Sequence, residues 1–415
     1  MQSLMCRTLG AALVLVLGGE SVLGQTSQPL RFESQSARRL PAGTSAGNSP
    51  AGVSPDLIQI YRETKSANSV LAVTTIVDQC RAIVQSPQRT TADRTYAQQL
   101  LAWALNRRGE LTSDRAAELV ESGRLREAQE HDRRALSDFS EAVDLNPENW
   151  RSHHNLAIAL ALHERFEDAV EAINEAIRLK PDYGNAYFNR AELYFELGAY
   201  ESAAADYTQA IERRPDDAQS YNGRAHCRFL MEQYDASVAD YRRAAELAPD
   251  DVAILTDLAD AHQFLGQWES AAKAYRAAIS LQADYPRAYQ NAAWLMATCP
   301  DDRIRRPDLA LAAAQKAIEL SGSPTAEQLD TLAAAHAAAG HAQQAVAAAR
   351  QALQLADDDL LVRDIQSRVD LYKAGKAFRQ VATDQESSSP KSPRREPPQT
   401  QSSRVARSAS ELRRK

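Results

Sequence analysis

The sequence is poor in the residues and motifs that carry chemistry. Its 415 residues include four cysteines and eight histidines, all dispersed. Cys6, Cys80, Cys227 and Cys299 have no metal-ligand spacing, and thiols scattered in this way do not make a disulfide framework. The fold must therefore be held by packing. His153-His154 is the only adjacent histidine pair, and there is no His-Glu-x-x-His and no His/Cys set with zinc spacing. A Gly-rich phosphate loop, a Gly-x-Ser-x-Gly elbow and a strand-rich segment to seat either are all missing. Asp and Glu are plentiful, but on helical patterning they fall on solvated faces, and no acid/base pair stands out. No apolar run reaches the roughly 18 residues of a membrane-spanning helix. Together these absences argue against an enzyme, a cofactor, a metal centre and a nucleic-acid partner. The chain is a quarter charged, with a net charge of −7 and abundant alanine, a composition that suits stacked helices.

What the sequence does have is a beat. Pro147, Pro181, Pro215 and Pro249 each follow the last by 34 positions. Ala157, Ala191, Ala225 and Ala259 keep the same interval. So do Ala169, Ala203, Ser237 and Ala271, then Ala176, Ala210, Ala244 and Ala278, then Phe166, Tyr200, Tyr234 and Trp268. Within one period, Tyr187, Arg190, Ala191 and Tyr194 share a helical face, Gly198 supplies the positive φ of a helix end, and Ala203, Tyr207, Ala210 and Ile211 line a second helix. Pro215 stops that helix. Small residues let the two helices approach, and aromatics fill the remaining gaps. One helix pair cannot bury its apolar face alone, so neighbours must stack.

These rows resemble the tetratricopeptide-repeat family. The resemblance implies an all-α fold: a right-handed superhelical solenoid of antiparallel helix pairs, whose first helices line a concave groove. It implies a protein-interaction scaffold that binds a peptide segment of a partner there. At groove positions stand Asn155, Asn189 and Asn291, with Asp257 at the equivalent place and Asn222 one position early. Amides both donate and accept, so such a row can hold an extended backbone, although Gly223 interrupts it. The alternative is that asparagine is simply common at this position. Phe188, Phe195, Phe229, Phe264 and Trp294 also fall toward the groove as candidate anchors, the alternative being packing between first helices. The family's carboxylate clamp is not matched. At its places stand His154, Ile158, Asn189, Gln219 and Gly223, of which only Asn189 fits, which argues against a chaperone-tail adaptor.

The flanks differ from the repeats. Met1–Gly24 reads as a cleavable signal peptide, with Arg7, an apolar core over Leu9–Leu17 and small residues before Gln25, so export to the periplasm or beyond is expected; the alternative is an uncleaved membrane anchor, against which the short apolar core argues. Residues 25–55 read as a flexible linker. Residues 56–112 read as degenerate repeats or a cap, with helices at Val70–Val84 and Ala92–Arg107. The solenoid proper is expected over 113–357. Its first repeat, within Ala116–Pro147, is expected to have a lengthened first helix, with extra polar helix at Glu127–Arg134, and its fifth carries an insert, Cys299–Pro307. Asp358–Val381 reads as a capping helix, within a cap assigned to 358–382. Residues 383–415 read as a disordered tail with eight Lys or Arg against four Asp or Glu. A second functional reading follows: an envelope-associated protein whose basic tail docks weakly on anionic lipid or polymer.

Overall fold

The computed structural model describes residues 52–380, which are helices and their connections throughout. The leader, most of the linker and the basic tail lie outside the described residues. The chain divides into two compact units, which meet in sequence at Pro249 and Asp250.

The N-terminal unit begins with α1 (Pro55–Thr64), α2 (Val70–Gln85), α3 (Thr91–Glu121) and α4 (Leu125–Leu145). Thr90 caps α3 by accepting from the Asp93 amide, and Asp93 in turn accepts from the Ser54 amide at 2.8 Å. Leu57, Val73, Val77, Cys80, Leu100 and Leu105 form the core of these helices. The helix expected to end at Arg107 runs on to Glu121, so the boundary drawn between residues 112 and 113 falls inside α3. Gly109 lies just past the expected end. It costs helix propensity, about 1 kcal/mol relative to alanine. Here it lets α4 pack closely: a Cβ on Gly109 would sit 2.6 Å from the Phe139 ring. Arg108 adds a two-point ion pair to Asp138, at 2.6 and 2.8 Å. Glu127–Arg134, expected to extend the first helix, instead opens the second, because Gly123 turns the chain at φ 74°; α3 and α4 are 31 and 21 residues long.

Three regular pairs follow: α5 (Trp150–Leu162) with α6 (Phe166–Leu179), α7 (Gly184–Glu196) with α8 (Tyr200–Arg213), and α9 (Ala218–Leu230) with α10 (Tyr234–Leu247). The alanine rows are buried where the helices touch, and Ser237 keeps its place by donating to the Ala225 carbonyl at 2.8 Å. Each pair turns through one residue with positive φ, at 34-residue intervals: Glu164 (57°), Gly198 (71°) and Glu232 (61°). The next amide closes each helix by donating back to the carbonyl of Leu160, Tyr194 or Arg228, the Schellman arrangement. Second helices stop at the residue two before each proline, because a pre-proline residue is driven out of the helical region. Arg190 with Asp206 and Arg224 with Asp240 repeat one bidentate pair in successive repeats.

The C-terminal unit contains α11 (Val252–Phe264), α12 (Trp268–Leu281), α13 (Pro286–Thr298), α14 (Pro307–Ser321), α15 (Ala326–Ala338), α16 (Ala342–Leu355) and α17 (Asp359–Lys373). Gly266 and Gly340 make two of its turns. The third is the expected insert, a loop after Thr298 held by Arg306 N–H donating to the Met296 carbonyl and by Arg305 donating to the Cys299 carbonyl. The capping helix is shorter than expected. It ends at Lys373, where Gly375 takes φ 69° and the Lys376 amide closes back on the Leu371 carbonyl. Residues 376–380 then run without helix. Cys80, Cys227 and Cys299 are unbridged and buried, and burial raises all three thiols. No helix of the described residues is long and apolar enough to cross a membrane.

Candidate functional site: the first-helix faces

In the N-terminal unit the asparagines of the expected ladder are turned to neighbouring helices. Asn155 is 3% exposed, and its amide donates to Asn106 and to Glu110 on α3, at 3.2 Å each. Asn189 is 1% exposed and lies 2.9 Å from Nε2 of His154. The other His154 nitrogen lies 3.5 Å from the Asn155 side-chain oxygen. Burial pulls the His154 ring down to about 4, so at neutral pH it is uncharged and accepts from Asn189. Glu110 is raised by burial, with Arg107 opposing. The result is a polar chain, Arg107–Glu110–Asn155–His154–Asn189, that ties α3, α5 and α7 together. This corrects the ladder: a buried amide must be satisfied, and here the protein itself satisfies it. In the C-terminal unit, half-buried Asn291 donates to Asp260 at 2.8 Å, and Asp257 is paired with Arg287.

Phe188 and Phe229, two of the five aromatics expected toward the groove, are corrected as well. Phe188 is 2% exposed and meets Tyr207 edge-on at 5.8 Å. Phe229 is 3% exposed and meets Tyr234 edge-on at 5.2 Å. Both fill the space between the helices of their own pair and present no anchor. Phe195 is half-buried, tilted on Tyr200 at 5.5 Å.

What the face of α7 does offer is a carboxylate pair one helical turn apart, Glu192 and Glu196, flanking Phe195. Spacing of i and i+4 puts both carboxylates on one side. Glu192 accepts from the Tyr207 hydroxyl. Gly223 makes that contact feasible, since a Cβ there would fall 2.4 Å from the Tyr207 ring. The interruption of the ladder at Gly223 thus has a packing cause. Burial first, and the Glu192 charge second, push the Glu196 carboxyl up to about 7. The i, i+4 spacing of two acids at groove positions was the signal that could have found this pair in the sequence.

In the C-terminal unit the corresponding face carries something else. Trp294 on α13 packs with Ala297, Ala334 and Ala335, and Phe378 from the segment after α17 joins this cluster, its ring 5.9 Å from Trp294. Arg368 of α17 lies over both rings and is paired bidentately with Asp330 of α15, at 3.0 and 2.7 Å. The Gln380 amide donates to the Thr298 carbonyl at 2.8 Å, its side chain donates to the Thr298 hydroxyl, and Arg379 donates to the Ala297 carbonyl at 3.2 Å.

Family profiles described as tetratricopeptide repeat match residues 114–184, 184–217, 218–251 and 252–285. These segments are tetratricopeptide repeats, and such repeats serve as protein-interaction scaffolds. No curated protein matches the chain. Among solved structures, a tetratricopeptide repeat protein from Parabacteroides merdae ATCC 43184 is 18% identical over 64% of this chain and 98% of its own, with a TM-score of 0.47. The type IV pilus biogenesis factor PilW is 18% identical over 52% and 98%, with a TM-score of 0.46. YrrB, described as having an unusual peptide-binding site, is 20% identical over 44% and 91%, with a TM-score of 0.37.

Proposed function

We propose that this protein is an exported scaffold that binds a peptide segment of a partner on the first-helix face of its N-terminal unit. The observation that supports the site is the α7 stripe of Glu192, Phe195 and Glu196. Two carboxylates that repel each other favour a cation between them, and the ring beside them favours an apolar neighbour. The ligand is therefore a segment with Lys or Arg next to an apolar side chain. Export rests on the leader-like pattern of Met1–Gly24.

The reading is tested with a panel of labelled peptides, basic-apolar against acidic-apolar, titrated into the full chain. Basic-apolar peptides should bind and weaken modestly with salt, because half-buried charges are screened less than exposed ones. Phe195→Ala and Glu196→Gln should each weaken binding about tenfold, near the threshold for an anchoring contact. Because Glu196 titrates near 7, a bound cation should expel a proton, and the binding heat at pH 7 should depend on the buffer's ionisation enthalpy. Unchanged affinity in both variants would remove α7 as the site.

A further inference from the structure

The C-terminal unit holds a non-helical piece of its own chain across the first-helix face. We infer that Lys376–Gln380 occupies a peptide-binding surface built by α13, α15 and α17, and keeps it closed to other segments until displaced. The inference rests on the reading that first-helix faces take peptide segments, but it concerns different helices from α7.

Three features make the run resemble a ligand rather than one more element of the stack. The chain is sent back by a glycine turn at Gly375, not by continuing the helix. Its hold is of the kind an extended peptide makes. One main-chain amide, that of Gln380, reaches the Thr298 carbonyl; one side-chain amide reaches the Thr298 hydroxyl; and one aromatic ring, Phe378, joins the Trp294 cluster. The carbonyls of Ala297 and Thr298 are the last of α13, which have no partner within the helix and so are open to an incoming donor. Finally, the contact carries an internal opposition. Arg379 lies close enough to Arg305 that burial, then that second cation, push its guanidinium below its usual range. A competing segment with an aromatic residue, no cation after it and an amide two residues on would keep the contacts to Trp294 and Thr298, give up the Arg379 hydrogen bond to the Ala297 carbonyl and lose the repulsion.

The probe is a labelled peptide reproducing residues 374–382, with a second version carrying Gln in place of the arginine at 379. Each is titrated into the full chain and into full-length Phe378→Ala. A closed face lowers apparent affinity by the fraction of time it is open. Freeing it should therefore tighten peptide binding by about tenfold or more, and the Gln version should bind more tightly than the native one. Adding Trp294→Ala should abolish binding. A folded Phe378→Ala chain, by circular dichroism, that binds neither peptide would overturn the inference. If that variant does not fold, the wild-type chain decides. Its Gln380 amide should exchange slowly with solvent and speed up when peptide is added in excess. An amide that stays protected at saturating peptide would make the run a fixed part of the fold. Loss of this inference leaves the α7 reading standing, because that is read by Phe195→Ala on basic-apolar peptides.

Discussion

The first-helix faces of the two units share one repeat register and differ in what they do with it. In the N-terminal unit, Asn155, His154 and Asn189 are bonded to one another and to α3, and the half-buried remainder on α7 is acidic and aromatic. In the C-terminal unit, the aromatic of the face, Trp294, is covered by Phe378 of the same chain. Position within a repeat therefore states which side of a helix a residue is on. It does not state whether a neighbour has already taken it. The difference comes from what lies beside the face: a long α3 supplying Asn106 and Glu110 in one case, a returning segment after α17 in the other.

Breaking the polar ties should separate the units most clearly. Asp330→Ala would leave Arg368, 4% exposed, charged and unpaired. The expected loss is about 3–5 kcal/mol, as for other buried pairs broken on one side. Asp206→Ala, whose partner Arg190 is 20% exposed at its side chain, should cost less, about 2 kcal/mol. Repeat arrays unfold locally, so both are best read by hydrogen exchange resolved to each unit.

Acid should act on the N-terminal unit through His154. Its folded value, about 4, lies below its unfolded one. The unfolded chain therefore takes up the proton first, and stability falls as pH drops from about 6.5 to 4, by up to about 3 kcal/mol. Thermal melts across that window should lose their slope in His154→Gln. Glu196 acts in the opposite sense. Its folded value is raised, so its contribution is fully present below its unfolded value and is lost as pH rises through 7. Glu196→Gln should stabilise at pH 8 and not at pH 4, by about 1 kcal/mol or less after screening.

Gly223→Ala tests the tie between packing and the α7 face. The added carbon meets Tyr207, and the expected loss is about 1–3 kcal/mol by urea unfolding. Among the backbone changes, the smallest effect should be a gain. Glu232 stands at φ 61° where Gly198 stands one repeat earlier. Glu232→Gly should stabilise by about 1 kcal/mol, and Gly198→Glu should cost about as much, because a Cβ is strained in the left-handed region. Equal melting temperatures for both exchanges would show that the turn conformation is not under strain.

Much of this was legible beforehand, and the misses share a cause. The regular pairs, the alanine contacts and the Cys299–Pro307 loop could be read because each depends on residues within a few turns of one another. The helix expected to end at Arg107 runs on because helix propensity at Gly109 is a local quantity, while its packing partner, Phe139, is 30 residues away. Phe188 and Phe229 were assigned to the face, since periodicity locates a side of the helix only coarsely and both rings lean into their own pair.

The sequence by itself determined the helices, their turns and the 34-residue register. Those follow from capping, glycine, proline and small-residue spacing, which act over short stretches of chain. Only the tertiary structure decided which polar groups remain to meet a partner. Asn155 is committed by residues 49 and 45 positions away, Asn189 by one 35 positions away, and Thr298 by Gln380, 82 positions on. A buried donor or acceptor must be satisfied by whatever the fold places within hydrogen-bonding distance, and no local pattern in the chain encodes that neighbour.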